Sequence, residues 1–192
     1  GRAFAESRRP MGSATRYAER HAGRSASSRL STALDTLGSS KRSAGIVLYR
    51  KREGELQVLL VHPGGPFWAK KDAHAWSIPK GEFEDEEPLV AAVREFEEET
   101  GCVLTAGEVR SLGSIRQSGG KVVHAFALGG DLDPETISSN TFTMEWPPRS
   151  GRQQEFPEVD RAGWFSLDEA REKVHKGQVA LIQRLEAMRD EI

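Results

Sequence analysis

The chain has 192 residues, enough for one well-buried core and short for two full-sized domains. Its 27 Lys and Arg against 29 Asp and Glu give a net charge of -2, which names no partner by itself. No run approaches the roughly 18 apolar residues of a membrane span, and no stretch has the order of a secretory signal, so a cytoplasmic protein with no membrane partner is expected. The single cysteine, Cys102, excludes an intramolecular disulfide and reads as a small buried hydrophobe.

The charge is unevenly spread. Residues 1–43 hold nine Arg and Lys against three Asp and Glu, so the remainder carries 18 basic and 26 acidic residues. This first segment is rich in Ser, Ala, Arg and Gly and shows no sustained period, so it is expected to be a basic, solvated arm. A nucleic-acid arm is the weaker alternative, and the stretch around Leu30, Leu34 and Leu37 is the part best suited to dock. The domain proper is expected over residues 44–192.

From Ala44 the pattern changes. Ala44 to Tyr49 and Leu56 to His62 are aliphatic, β-branched runs separated by a polar stretch, which predicts a hairpin. A loop from Pro63 to His74 leads to a short strand expected at Ala75 to Ile78, and Pro79-Lys80-Gly81 then opens an acidic turn. Next comes the clearest helix: Pro88 suits a first helical position, Leu89, Val93 and Phe96 share a stripe, and Gly101 stands where a left-handed cap would end it. Further strands are expected at Gly107 to Ile115, Lys121 to Leu128, Thr141 to Trp146 and Glu158 to Phe165, then helices at Ser166 to Lys176 and Gln178 to Glu191. Strands interleaved with helices without regular alternation predict an α/β fold with a central mixed sheet covered on both faces.

The chemistry is concentrated in the predicted helix. At about 100° per residue, Glu95, Glu98 and Glu99 fall within an arc of about 100°, so three carboxylates share one face. At about 4 Å and an effective dielectric near 20, each like-charge pair repels by about 4 kcal/mol, so the cluster spreads into water or captures a cation. All-oxygen ligation favours Mg²⁺, with Mn²⁺ as a substitute. Acidic residues on a helix are more often a solvated face, and only the joint pattern argues otherwise.

That pattern, Gly81 followed by Arg94-Glu95-Phe96-Glu97-Glu98-Glu99-Thr100-Gly101-Cys102 and preceded by Trp76-Ser77-Ile78-Pro79-Lys80, resembles the Nudix box. The carboxyl half fits position by position. The amino half is one residue short: Glu87 keeps the first gap of the box, whereas Glu86 keeps the seven-residue gap before Arg94. Glu86 is the preferred match, since a turn loses a residue more cheaply than a helix. The resemblance implies an α/β/α sandwich and a Mg²⁺-dependent hydrolase that cleaves a phosphoanhydride bond in a nucleoside diphosphate linked to another group. It further implies that Glu95, Glu98 and Glu99 hold metal with the Gly81 carbonyl, that Arg94 orients the carboxylates, and that Glu95 or Glu98 is the general base. Glu158, before Trp164, is the candidate for the later acidic residue that completes the site in many members.

The remaining candidates concern substrate. Lys80 beside the box glycine, Lys70 and Lys71 in the preceding loop, and Arg149 and Arg152 around a Ser150-Gly151 turn are candidate phosphate contacts, and Phe67 and Trp68 could stack a base. The chain resembles bacterial Nudix proteins described as predicted nucleoside triphosphate pyrophosphohydrolases, and shares much with diadenosine polyphosphate hydrolases. Its only tyrosines are Tyr17 and Tyr49, which weakens the form of dinucleotide recognition that stacks adenine on a tyrosine downstream of the box. From the resemblance, a nucleoside triphosphate or dinucleoside polyphosphate is the expected substrate. The alternatives are an ADP-ribose or sugar-nucleotide pyrophosphatase and a non-catalytic nucleotide-sensing module.

Overall fold

The structure is a computed structural model that describes residues 41–104 and 107–192. Residues 1–40 of the arm expected over residues 1–43 lie outside the described residues. The ordered domain begins earlier than the sequence suggested, because Arg42 and Ser43 already belong to the first strand.

Strands β1 (Arg42–Arg52) and β2 (Glu55–Pro63) form the expected antiparallel hairpin, with Tyr49 opposite Val58. Its turn uses Glu53 and Gly54, both at positive φ, a conformation that glycine adopts without strain. β1 is the axis of the fold. One edge pairs in parallel with β5 (Val122–Gly129), and the other pairs antiparallel with β2 and, nearer its start, with β3 (Lys80–Phe83). With β4 (Val109–Arg116) beside β5 and β8 (Val159–Ser166) beside β2, the six strands make one mixed sheet.

Both faces of that sheet are covered, which is why Ser43 to Leu48 are buried without interruption. On one face Ala44, Ile46 and Leu48 pack against Ala92, Val93 and Phe96 of helix α1 (Pro88–Thr100). On the other, Val47, Val58, Leu60 and Ala125 pack against Leu181, Ile182 and Leu185 of helix α3 (Val179–Ala187). Helix α2 (Leu167–Lys173) joins the same layer, started by a capping box between Ser166 and Glu169. The result is the α/β/α sandwich. Among the described residues no helix is long and apolar enough to cross a membrane.

Two elements differ from the sequence reading. The strand expected at Ala75 to Ile78 is reduced to isolated bridges, Trp76 to Val174 and Ser77 to Val61, and the paired strand comes one step later as β3. Ala75, Trp76 and Ile78 are apolar because they fill the core between sheet and α2, whereas Lys80 to Phe83 carry the pairing without any β-branched residue. The second difference is a separate two-stranded sheet, β6 (Thr141–Glu145) and β7 (Gln153–Pro157), in which Phe142 lies opposite Phe156. β7 is mostly polar, so its sequence reads as loop.

The loop after β2 is tied down at both ends. His62, fully buried, lies 2.8 Å from the Asp160 carboxylate through Nδ1 and 2.8 Å from the Lys71 carbonyl through Nε2, and its ring meets Trp76 edge-on. Gly64 donates its N–H to the Glu158 carbonyl at 2.9 Å. A Cβ on this buried glycine would stand 2.0 Å from the Pro157 carbonyl oxygen, so backbone approaches backbone with no room for a side chain. Gly64→Ala is therefore expected to lower the unfolding free energy by about 1–3 kcal/mol, read as a shift in chemical denaturation midpoint at unchanged slope.

Candidate active site

α1 supplies most of the site. Pro88 occupies its first turn behind Glu87 at the cap, and Gly101 closes it at φ 70°, donating its N–H to Glu97 O at 2.8 Å. With Ala91, Ala92, Val93 and Phe96 turned into the core, the remaining face carries Arg94, Glu95, Glu98 and Glu99.

Arg94 gathers three carboxylates on one guanidinium. Nε and Nη2 donate to Glu86 at 3.1 and 2.6 Å, and Nη1 donates to Glu95 at 2.7 Å and to Glu98 at 3.2 Å. Burial works against its charge, but the bonds to Glu86 and Glu95 prevail and hold it protonated beyond the usual arginine range. Glu86 is the loop carboxylate that meets Arg94, whereas Glu87 is exposed at the helix cap. Glu86 lies one residue ahead of that cap, so the short turn, rather than the helix, sets its position.

The beginning of β3 closes over the other carboxylates. An added Cβ on Gly81 would stand 1.7 Å from Glu95 Oε2 and 2.0 Å from its carboxyl carbon, so only glycine lets the helix side chain lie against this strand. The N–H of Lys80 donates to Glu99 Oε2 at 3.0 Å. Burial pushes the Glu99 carboxyl up to about 7 against the opposing charge and N–H of Lys80, and raises Glu95 against the pull of Arg94. Lys80, half-buried, lies opposite Gly45 of β1, and burial lowers its pKa although the charge of Glu99 opposes this.

Glu158 is brought in through the backbone. Ser138 and Asn140 donate to the Thr100 and Glu98 carbonyls at the end of α1, the Glu158 N–H donates to Asn140 O at 2.8 Å, and Gly64 donates to Glu158 O. The charge of Glu158 adds to the upward shift of both Glu95 and Glu99. The sequence reading assigned no role to Ser138 to Asn140. The run of small polar residues able to cap orphan helix carbonyls was the available signal.

The substrate candidates divide. Lys80 lies beside the carboxylates, while Arg149 and Arg152 stand exposed on the β6–β7 connection, apart from them. Lys70 and Lys71 are exposed, with Lys71 Nζ 4.5 Å from the Trp68 ring centroid. Trp68 packs partly against the core below α3, so of the two proposed stacking rings only Phe67 faces outward.

A NUDIX domain family model matches residues 39–185, most of the chain, and the chain belongs to the Nudix hydrolase family. The fold of that family generally binds divalent metal. The fold is similar to that of a Caenorhabditis elegans Ap4A hydrolase in a binary complex, at TM-score 0.52 and 21% identity over 79% of this chain and 99% of that one. It is also similar to the NUDIX domain of Shewanella oneidensis NrtR complexed with ADP ribose, at TM-score 0.54 and 18% identity over 79% and 89%. A MutT protein from Methanosarcina mazei Go1 gives TM-score 0.52 and 19% identity over 80% and 99%. Identities this low show the fold alone. An octanoyltransferase of Myxococcus xanthus is 32% identical over 108 residues, 56% of this chain and 26% of that protein, so the chain spans about a quarter of that relative.

The donor set suits a hard divalent ion: Glu95, Glu98, Glu99 and the Gly81 carbonyl are all oxygen, and the bare Gly81 backbone is a cradle that a side chain would fill. As they stand, with Glu95 and Glu98 turned to Arg94, no three acidic, cysteine or histidine side chains among the described residues converge to ligating distance. The raised Glu99 carboxyl has a consequence for stability without metal. Between its unfolded value near 4.5 and about 7 the native state binds more protons than the unfolded chain, so stability falls as pH rises through that window. With chelator present, Glu99→Gln is expected to flatten this fall and raise the melting temperature at pH 7, measured by thermal scans across pH 4.5 to 7.5.

Proposed function

We propose that this chain is a Mg²⁺-dependent pyrophosphohydrolase whose substrate is a nucleoside triphosphate or a dinucleoside polyphosphate. The observation that carries this reading is the α1 carboxylate cluster: Glu95 packs against the bare Gly81 backbone, Glu99 accepts the Lys80 N–H, and the Arg94 guanidinium ties Glu95 to Glu98 and Glu86. The positive charges of Arg94 and Lys80 fall short of balancing Glu86, Glu95, Glu98 and Glu99, and the residual negative field favours a divalent cation.

In this proposal Glu95, Glu98, Glu99 and the Gly81 carbonyl hold Mg²⁺, for which Mn²⁺ substitutes, and Glu158 adds a carboxylate from the far side of the helix end. When bound, the cation neutralises charge on the phosphate oxygens and makes nearby water more acidic. Water attacks phosphorus in line, its oxygen forming the new P–O bond while the bond to the bridging oxygen breaks and a phosphate or nucleotide leaves. Glu95 or Glu98 takes the proton. Arg94 is a positioning residue: its bonds to Glu86, Glu95 and Glu98 fix the carboxylates and need no contact with substrate. Glu86 anchors Arg94 and Gly101 ends the helix, so both serve the frame of the box.

The distribution of cations supports an extended substrate. Lys80 is set beside the carboxylates for a phosphate near the reacting bond. Arg149 and Arg152 lie at the far end of β7 from Glu158, a distance on the order of 20 Å along the strand at about 3.3 Å per residue. They suit the remote part of a substrate with two ends, which favours a dinucleoside polyphosphate within the proposed pair.

Glu98 is exposed and its side chain bonds only to Arg94, so Glu98→Gln is expected to leave folding intact while lowering turnover by about 10²- to 10⁴-fold. Product identification on a nucleotide panel, with and without EDTA and with Mg²⁺ or Mn²⁺ restored, is the accompanying measurement. Turnover by the variant near that of the unaltered chain removes Glu98 from the mechanism, and nucleotide binding without cleavage under either metal favours a sensing module.

A further inference from the structure

Phe67 is 57% exposed, one of two large apolar side chains that stand in solvent among the described residues. It is not loosely placed. Its ring meets that of Trp146 at 5.4 Å between centroids and 82° between planes, so two aromatic surfaces form an open right-angled corner. The corner joins segments far apart in sequence, the loop after β2 and the start of the β6–β7 connection.

The loop is built to hold this position. Gly65, at φ 87°, approaches the tip of the Phe142 ring, where an added Cβ would be 3.0 Å from Cζ, and Gly64 lies against the Pro157 carbonyl. Two successive glycines therefore let the turn settle onto the hairpin and carry Phe67 to Trp146. The same Gly64 donates to the carbonyl of Glu158, which links the corner to the carboxylate cluster by a single backbone bond.

The corner is also basic. Arg149 and Arg152 are exposed beside Trp146 and enter no ion pair among the described residues. The nearby acid Glu145 instead accepts the Gly151 N–H at 2.8 Å, leaving both guanidiniums available. A planar apolar surface flanked by two uncompensated guanidiniums matches a ligand that is aromatic at one point and anionic beside it.

We propose that Phe67 and Trp146 form the stacking subsite for a nucleobase of the substrate, with Arg149 and Arg152 binding the phosphate next to that base. This deepens the hydrolase reading and rests on it for the identity of the ligand. The sequence offers Phe67 and Trp68 as the stacking pair; the fold turns Trp68 toward the core and gives its place to Trp146 from the other segment.

Binding is measured by calorimetry on the full chain carrying Glu98→Gln, with Mg²⁺ present and ATP, diadenosine tetraphosphate and inorganic tripolyphosphate as probes. Adding Phe67→Ala is expected to weaken both nucleotides about tenfold and to change tripolyphosphate, which has no base, by less than about twofold. Adding Arg149→Ala and Arg152→Ala together is expected to weaken binding of both nucleotides and to make that binding less sensitive to salt than in the parent. Trp146→Phe keeps a ring in the corner and is expected to retain most of the nucleotide affinity. Unchanged nucleotide affinity in Phe67→Ala overturns the proposal, as does an equal loss for tripolyphosphate, or parent affinities no higher for nucleotides than for tripolyphosphate. Because binding is read on a chain whose turnover is strongly lowered, failure of the unaltered enzyme to cleave these nucleotides counts against the hydrolase reading and leaves the subsite result standing.

Discussion

The contact between the Glu95 carboxylate and the bare backbone of Gly81 is the constraint around which the site is arranged. It brings α1 and β3 so close that no side chain fits between them at Gly81. Each additional carboxylate raises the electrostatic cost, at about 4 kcal/mol for a close pair under moderate screening. Arg94 offsets part of that cost and orders the acids at the same time. The imbalance that remains favours a small, highly charged cation at the proposed metal site.

The hydrophobic layers explain why this arrangement persists. Ala91, Ala92, Val93 and Phe96 are fully buried against Ala44, Ile46 and Leu48, so α1 cannot roll to spread its acids into water without exposing that surface. The helix end is equally fixed. Its last carbonyls are taken by Ser138 and Asn140 instead of solvent, and the same segment holds Glu158 in place. Core packing thus sets the direction of the carboxylates, and a short ladder of main-chain bonds sets which later residues join them.

Much of this was legible in the sequence. The hairpin, the helix with Pro88 and Gly101 at its ends, and the crowding of Glu95, Glu98 and Glu99 follow from periodicity and turn chemistry, which are local. What was not legible depends on distant partners. Lys80 to Phe83 form a strand because β1 offers a free edge, although the residues themselves favour a turn. Gln153 to Pro157 pair only because β6 is beside them, and Trp146 reaches Phe67 only because Gly64 and Gly65 admit a close approach. Glycine spacing hinted at these contacts without naming what is approached.

The position of β1 at the centre of the sheet bears on how the protein assembles. Arg42 pairs with Val122 and Gln57 with Ser166, so the scaffold beneath the carboxylates is closed by chain made long after the helix itself. Such distant, partly parallel pairings carry a large loop-closure cost and are characteristic of slow-folding topologies. During synthesis, α1 would emerge with its acidic and apolar faces both lacking their partners until β5 and β8 arrive. The cation affinity proposed above therefore depends on the finished sheet and is acquired late in folding.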